Sequence, residues 1–367
     1  MRNLPGVDRP VRVLIVDDSA IARKLLADGL SAEPRIEVVG LAPDADAARE
    51  LVLQRKPDVV TLDVEMPGTD GLTFLRELMR HHPLPVIIVS AVTRSGSAAA
   101  MAALRAGAVD VVPKPDSPSS VDRLTANLAR RIVGLAAGRA SLWPVQTSTE
   151  RGGRRRWPTT GAATLGWTSG LMVMGASTGG TQAIESILRG LPADAPPILI
   201  VQHMPPRFTT AFAERLDGVC RMRVVEARGG EPAERGVAYV APGDRHLMIE
   251  GRGGLLRIVV ASGEPVHYQR PAVDVLFHSA ARLRSVPIVA LLLTGMGIDG
   301  ADGMVALRAA GAHTIAQDEA SCVVFGMPKE AIARNGVSQV APLAAMPRAV
   351  AEAFRSLMLK REASVAD

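Results

Sequence analysis

Between residues 11 and 132, short runs of β-branched and other apolar residues alternate with stretches in which apolar positions recur at helical spacing. Short apolar runs bounded by turn residues read as buried strands, and the longer period as amphipathic helices. The pattern predicts strands over 12–16, 36–41, 59–62, 86–90 and 109–113. It predicts helices over 20–32, 45–54, 71–81, 97–106 and 120–133. Strict alternation of the two is the sequence form of a doubly wound α/β domain with a parallel sheet of five strands.

The periodicity stops between 134 and 169, where Gly, Ser, Thr, Pro and Arg dominate, and this stretch reads as a linker. Beyond it the alternation returns. Strands are predicted over 171–175, 198–202, 237–240, 256–260 and 288–293, and helices over 181–189, 206–216, 273–282, 301–310 and 346–359. Short strands and glycines over 221–263 predict antiparallel hairpins. The division is therefore a first domain over 10–133, a linker over 134–169 and a second α/β domain, with a mainly parallel sheet, over 170–360. No internal repeat is visible.

Composition narrows the class. A chain of 367 residues fits two domains at roughly 150 residues each. With 47% apolar and 22% charged residues it has too much core-forming material for a disordered chain. Its apolar runs, such as 288–293, are far short of the roughly 18 residues a membrane span needs. The N-terminus shows no apolar stretch followed by a cleavage site, so the expectation is a cytoplasmic protein with no membrane insertion. Cys220 and Cys322 stand alone in sequence, which predicts two buried thiols and neither a disulfide framework nor a CxxC metal site.

The formal charge is +5, but five Arg and one Glu within 139–157 place +4 in the linker alone. The rest is nearly neutral, so no nucleic-acid-binding face is expected, and Arg154-Arg155-Arg156 reads as a solvated run. A C-terminal helix-turn-helix with a basic face is likewise absent from the pattern.

In the first half, Asp17 and Asp18 follow the first predicted strand and Asp63 follows the third. In a doubly wound sheet these strands are neighbours, and functional groups collect where their carboxyl ends meet. Three carboxylates brought together repel one another unless a cation lies among them, and a hard-oxygen set completed by waters suits Mg²⁺. Ser90 ends the fourth strand and Lys114 follows the fifth, adding a hydroxyl and a cation to the same crevice.

This half resembles the receiver domain of two-component response regulators, a flavodoxin-like fold. The resemblance lies in Val16-Asp17-Asp18-Ser19, the stretch Leu62-Asp63-Val64-Glu65-Met66-Pro67-Gly68-Thr69-Asp70-Gly71, Ser90-Ala91 and Pro113-Lys114-Pro115. It implies phosphoryl transfer from a histidine kinase to Asp63, Mg²⁺ held near Asp17, Asp18 and Asp63, and contact of Ser90 and Lys114 with the acyl phosphate. A carboxylate nucleophile needs its own and the phosphate's charge offset, which a metal and a lysine provide. One departure is Val111, where receivers usually carry a switching aromatic residue three positions before the lysine.

In the second half, Gly175-Ala176-Ser177-Thr178-Gly179-Gly180 joins an apolar strand to a helical pattern. Small residues let the chain turn sharply and set Ser177 at a helix N-terminus, where free amides favour an oxyanion. The bland alternative is a glycine-rich turn with a serine cap. His203 follows the strand 198–202, and Asp299 lies in the glycine-rich segment after the strand 288–293. If the three strands are parallel, a nucleophile, a base and an orienting acid share one sheet edge. An α/β-hydrolase would need the order Ser, acid, His, and so would have to use His278 or His313, neither of which follows an obvious strand.

The order Ser-His-Asp and its context resemble the catalytic domain of the chemotaxis protein-glutamate methylesterases. The matching text is Gly175 to Gly180, Val201-Gln202-His203-Met204, Ala241-Pro242-Gly243-Asp244-Arg245-His246 and Leu293-Thr294-Gly295-Met296-Gly297-Ile298-Asp299-Gly300. The resemblance implies Ser177 as nucleophile, His203 as general base then acid, and Asp299 as its orienting partner. Thr178 and the backbone N–H of Met296 would then bind substrate and oxyanion. The implied substrates are glutamate γ-methyl esters, and particular glutamines, on the cytoplasmic helices of methylated chemoreceptors, with no cofactor at the esterase site. A hydrolase acting on another acyl substrate and a non-catalytic signalling adaptor are the alternatives. In the expected arrangement the unphosphorylated receiver covers the Ser177 cleft.

Overall fold

A computed structural model of the chain describes residues 9–66, 70–91, 93–115, 121–137, 170–252, 255–283 and 286–366. Nearly all of the predicted linker, and the Arg154-Arg155-Arg156 run within it, lies outside the described residues.

In the N-terminal unit β1 (Val11–Val16), β2 (Ile36–Ala42), β3 (Val59–Leu62), β4 (Val86–Ser90) and β5 (Asp110–Pro113) form one parallel sheet in the order β2-β1-β3-β4-β5. Between and after them run α1 (Ala20–Ser31), α2 (Ala45–Arg55), α3 (Gly71–His81), α4 (Arg94–Ala106) and α5 (Val121–Ala137). The central strands are buried on both faces, as β3 and β4 are throughout, which explains their continuous apolar sequences. Side chains cap the helices: Ser19 accepts from the Ala22 amide, Asp44 from Ala47 and Asp70 from Leu72, each contributing about 1 kcal/mol. Helix α3 turns Phe74, Leu75, Leu78 and Met79 into the core, roughly 1.5–3 kcal/mol for each buried side chain.

The C-terminal unit is built on a seven-stranded sheet of β6 (Leu171–Ala176), β7 (Ile198–Gln202), β8 (Arg223–Glu226), β9 (Val237–Val240), β12 (Ile288–Leu292), β13 (His313–Gln317) and β14 (Gln339–Ala341). Its order is β14-β13-β12-β6-β7-β9-β8 and every pairing in it is parallel. Between β9 and β12, β10 (His246–Arg252) and β11 (Leu255–Ala261) make a separate antiparallel hairpin. The helices are α6 (Gly180–Gly190), α7 (Phe208–Val219), α8 (Val273–Ala281), α9 (Ala301–Ala309), α10 (Met327–Ala333) and α11 (Met346–Ala366).

The departures from the sequence pattern have physical causes. Only β10–β11 is a hairpin in the 221–263 stretch, because β8 and β9 run parallel and complete the main sheet. Their short, glycine-containing connection carries no helix, the feature that usually marks a parallel crossover. Strand β14 is a three-residue edge strand, and β13 is flanked by the polar His313 and Gln317, so neither shows a strand-like apolar run. Helix α5 runs to Ala137, beyond the 133 at which the linker was expected to begin.

In each sheet the strand order reverses near its centre, and in the second it also turns back at the edge, where β9 lies inside β8. The central reversal lies between β1 and β3 in the first unit and between β6 and β12 in the second. The loops after those strands are where a doubly wound sheet opens a crevice.

Candidate active site

The N-terminal crevice gathers every residue that the sequence placed there except one. Asp17, Asp18 and Asp63 offer oxygens that all lie within 4.8 Å of one another. Lys114 Nζ is 2.6 Å from Asp63 Oδ2 and 2.8 Å from Asp17 Oδ2. The second contact is an ion pair outside hydrogen-bonding directions, so the buried Asp17 Oδ2 has no donor aimed at it. That orphaned oxygen beside two further carboxylates is a donor set that fits a hard divalent cation. Burial pushes the Asp63 carboxyl up, against the hydrogen bonds from Lys114 and the Glu65 amide. Burial pulls the Lys114 ammonium down, but the attraction of the Asp17 and Asp63 carboxylates outweighs it and leaves it raised. Ser90 is the exception: its hydroxyl donates to the Gly96 carbonyl of α4, 3.3 Å away, so it is turned toward that helix. Val111 is buried in the core.

In the C-terminal unit Ser177 follows β6, His203 follows β7, and Asp299 lies on the loop between β12 and α9. Parallel pairing in the order β12-β6-β7 brings all three to one sheet edge. Strand register sets the first two side by side: Ala176 pairs with Gln202, and the His203 amide donates to the Ala176 carbonyl at 3.2 Å. The Ser177 amide donates to the Thr294 carbonyl at 3.0 Å, which ties the serine turn to the β12 loop.

His203 Nε2 lies 2.7 Å from Asp299 Oδ2, with both side chains almost fully buried. His203 Nδ1 is buried with no hydrogen-bond partner. Asp299 also accepts from the Val273 amide at 2.7 Å and the Asp274 amide at 2.9 Å, the first two N–H groups of α8. Burial pushes the Asp299 carboxyl up, but the hydrogen bond from His203 and those two amides outweigh it and hold it below the ordinary carboxylate value. A helix N-terminus aimed at the carboxylate acts in the same direction.

Several supporting residues were not legible as such. Gln202 Nε2 donates to the Ser177 carbonyl at 2.9 Å. Thr294 Oγ1 donates to the Thr178 carbonyl and accepts from the Val323 and Val324 amides, stitching the serine turn to a distant loop. Gly179 has φ +79°, and a Cβ there would lie 2.4 Å from Val323 Cγ2, so both backbone and space demand glycine. His246, within one of the motifs, is a structural residue whose ring contacts the Glu264 carbonyl and the Ala272 amide. The two thiols are half-buried, where full burial was expected.

The N-terminal unit lies on this edge. Thr178 Oγ1 donates to Asp110 Oδ2 at 2.6 Å, and the same carboxylate is ion-paired with Arg131 of α5. The Gly179 amide donates to the Val109 carbonyl at 3.1 Å, and Gln182 Nε2 reaches the carbonyls of Leu104 and Ala108. Val324 shares a buried cluster with Leu128, Ile132 and Leu135 of α5, and Met296 and Val323 pack against it. Gly134 permits that approach, since a Cβ there would lie 3.0 Å from Met296 Sδ. Thr178 and Met296, expected at the substrate and the oxyanion, are thus both engaged by the other unit.

Residues 172–350 match the family model described as CheB methylesterase, and residues 13–126 match the response regulator receiver domain. A Geobacter metallireducens protein named protein-glutamate methylesterase/protein-glutamine glutaminase 1 is 49% identical over 349 residues, covering 93% of this chain and 95% of its own length. The chain belongs to the protein-glutamate methylesterase/protein-glutamine glutaminase family. A second methylesterase/glutaminase, from Thiobacillus denitrificans, is also 49% identical and covers 94% of this chain and 97% of its own length. The crystal structure of the Thermotoga maritima CheB methylesterase catalytic domain is 38% identical, with a TM-score of 0.49, covering 50% of this chain and 98% of that one. In this chain a receiver domain therefore precedes the methylesterase domain. Among the described residues no helix is long and apolar enough to cross a membrane.

Proposed function

We propose that this chain hydrolyses glutamate γ-methyl esters, and deamidates particular glutamines, on the cytoplasmic helices of chemoreceptors, under control of phosphorylation at Asp63 by a histidine kinase. The working units are the receiver over 10–133 and the esterase over 170–360, joined by 134–169, in a cytoplasmic protein. The observation that carries the reading is the His203–Asp299 pair at 2.7 Å, with the other imidazole nitrogen unpartnered beside the strand end that bears Ser177.

With its Nε2–H donating a hydrogen bond to the Asp299 carboxylate, His203 keeps the Nδ1 lone pair to take the Ser177 hydroxyl proton. Ser177 Oγ then attacks the ester carbonyl carbon, and the negative charge moves to the carbonyl oxygen. Amides at the start of α6 and the Met296 N–H stabilise that oxyanion, with Thr178 holding the substrate. His203 returns the proton to the departing methoxide, releasing methanol and leaving an acyl-serine. Water, deprotonated by His203, attacks the acyl carbon, and as the bond to Ser177 breaks His203 returns that proton to Ser177 Oγ, restoring the enzyme and giving the glutamate product. A glutamine amide passes through the same intermediate and releases ammonia. This sequence asks for no cofactor at the esterase site.

At the receiver, Asp17, Asp18 and Asp63 would hold Mg²⁺, which when bound would offset the charge of an incoming phosphoryl group. Lys114 supplies a further positive charge against Asp63, and Ser90 stands at the end of β4 to report the phosphorylated state by leaving Gly96. The contacts of Asp110, Val109 and Leu104 with Thr178, Gly179 and Gln182 support a closed arrangement in which the receiver shields the cleft. Phosphorylation then shifts the population toward an open one.

The test is mass spectrometry of methylated receptor peptides after incubation with wild type or Ser177→Ala. Loss of methyl groups only with wild type is expected. Equal loss with the variant would remove Ser177 from the reaction.

A further inference from the structure

Behind Asp299 lies a second histidine–carboxylate pair to which the reaction above gives no part. His267 Nε2 is 2.9 Å from Asp274 Oδ2, and Asp274 is the second residue of α8, whose own amide donates to Asp299. Asp274 Oδ1 accepts from the Gly303 amide at 2.7 Å, so its carboxylate ties the start of α8 to the first turn of α9. Oxygens or nitrogens of His267, Asp274 and Asp299 lie within 4.8 Å of one another. Both Asp299 oxygens are already taken by His203 and two amides, which makes the trio a chain of hydrogen bonds.

His267 is presented by a tight turn. The Val266 and Gln269 backbones exchange hydrogen bonds, and the two residues between, His267 and Tyr268, have φ of 51° and 63°. Neither is glycine or asparagine, the usual occupants of such a turn, so the chain maintains an unfavourable backbone that puts this imidazole against a buried acid.

We propose that His267 and Asp274 form a positioning pair for the triad: Asp274 fixes the α8 amides that hold Asp299, and His267 offsets the Asp274 charge that would otherwise act on the His203–Asp299 pair. The proposal rests on the reading of Ser177, His203 and Asp299 as the esterase centre. Two adjacent carboxylates with opposite perturbations support it. Burial pushes the Asp274 carboxyl up and the Asp299 charge adds to this, against the Gly303 and Gly300 amides and His267, whereas Asp299 is held low. The other charged groups facing the pair, across a cavity of about 310 Å³, are His278 and Arg282 of α8 and Asp302 of α9. Asp302 is itself paired with Arg334 at 2.5 Å. On the far side of the turn, Arg130 of the receiver lies over the Tyr268 ring.

The signs follow from charge. In His267→Gln the Asp274 carboxylate loses its imidazole hydrogen-bond partner, its less compensated negative charge favours a protonated His203, and the acidic limb of kcat/KM moves to higher pH. In Asp274→Asn that negative charge is gone while the amide oxygen can still accept from Gly303, and the limb moves to lower pH. Each displacement is expected to be roughly 0.5–1 pH unit.

The experiment measures methanol release from methylated receptor membranes against pH. It uses the full chain with Mg²⁺ and a small-molecule phosphodonor, as wild type, His267→Gln and Asp274→Asn. Opposite displacements of the two limbs support the proposal. His267 sits on a half-exposed turn, so its variant carries the test alone if Asp274→Asn does not fold. Reduced rates with unmoved limbs, the signature of a purely structural role, would overturn the proposal while leaving the esterase reading intact. Absence of release by wild type would overturn the esterase reading, and the pair's role with it.

Discussion

Replacing Asp110 by Ala removes, from the receiver side, the charged acceptor that holds Thr178 in the closed arrangement. The other hydrogen bonds named across this boundary, from Gly179 and Gln182, end on neutral backbone carbonyls. A buried hydrogen bond to a charged group contributes about 1.5–3 kcal/mol. Arg131 keeps its bond to Asp110 when the units separate, because both residues belong to the receiver, so that ion pair cancels in wild type. In the variant the guanidinium, with a side chain only 11% exposed while closed, loses its partner and gains water on opening. Both effects favour the open state. Where the closed form dominates, basal activity is proportional to the open fraction, and it rises about tenfold to a hundredfold, up to the ceiling set by the fully open enzyme. The assay is methanol release by unphosphorylated full-length chain, with phosphodonor stimulation measured alongside. The predicted result is a high basal rate and correspondingly small stimulation. An unchanged basal rate, with the variant folded and still responsive to phosphodonor, would refute the assignment of this bond to the closed state.

Deleting residues 1–168 should raise basal methanol release above that of the unphosphorylated whole chain, and a truncated enzyme no faster would remove the shielding role. Burial pushes the Cys220 thiol up to about 12 and raises Cys322 as well, so at about pH 8 both should react slowly with a thiol reagent in the native chain and rapidly in denaturant. The stability these thiols contribute is present below the ordinary thiol value and lost as pH rises through the raised ones. Asp299 has the opposite sign: its carboxyl is held below the usual 3.8, so its contribution is present above that value and lost as pH falls through the lowered one. Urea melts of wild type and Asp299→Asn should therefore show a smaller acid-induced loss in the variant below about pH 4, and equal losses would contradict the pairing.

Both crevices were legible because their residues follow parallel strands that are almost wholly buried, whose apolar runs are hard to mistake. Asp17 and Asp63 after β1 and β3, and Ser177 and His203 after β6 and β7, could be placed from chain order and the rule for sheet crevices alone. What could not be read depends on where elements dock. Asp110 looks like the polar start of a strand, and only the packing of α5 and β5 against Thr178 and Met296 gives it a partner in the other unit. His267 and Asp274 are seven residues apart across a turn, with no repeat or motif to mark them as a pair. Ser90 fits its expected place at the end of β4, yet its hydroxyl points toward α4, a rotamer that strand order does not determine. Polar or very short strands such as β8, β13 and β14 escaped for a related reason, since their place in the sheet comes from neighbours and carries little apolar signal of its own.

The most direct measurement is methanol release from methylated receptor membranes by wild type, Ser177→Ala and Asp63→Asn, each with and without Mg²⁺ and a small-molecule phosphodonor. The account predicts release by wild type that rises with phosphodonor, none from Ser177→Ala, and no phosphodonor response in Asp63→Asn. Release that persists without Ser177, or stimulation that persists without Asp63, would contradict it.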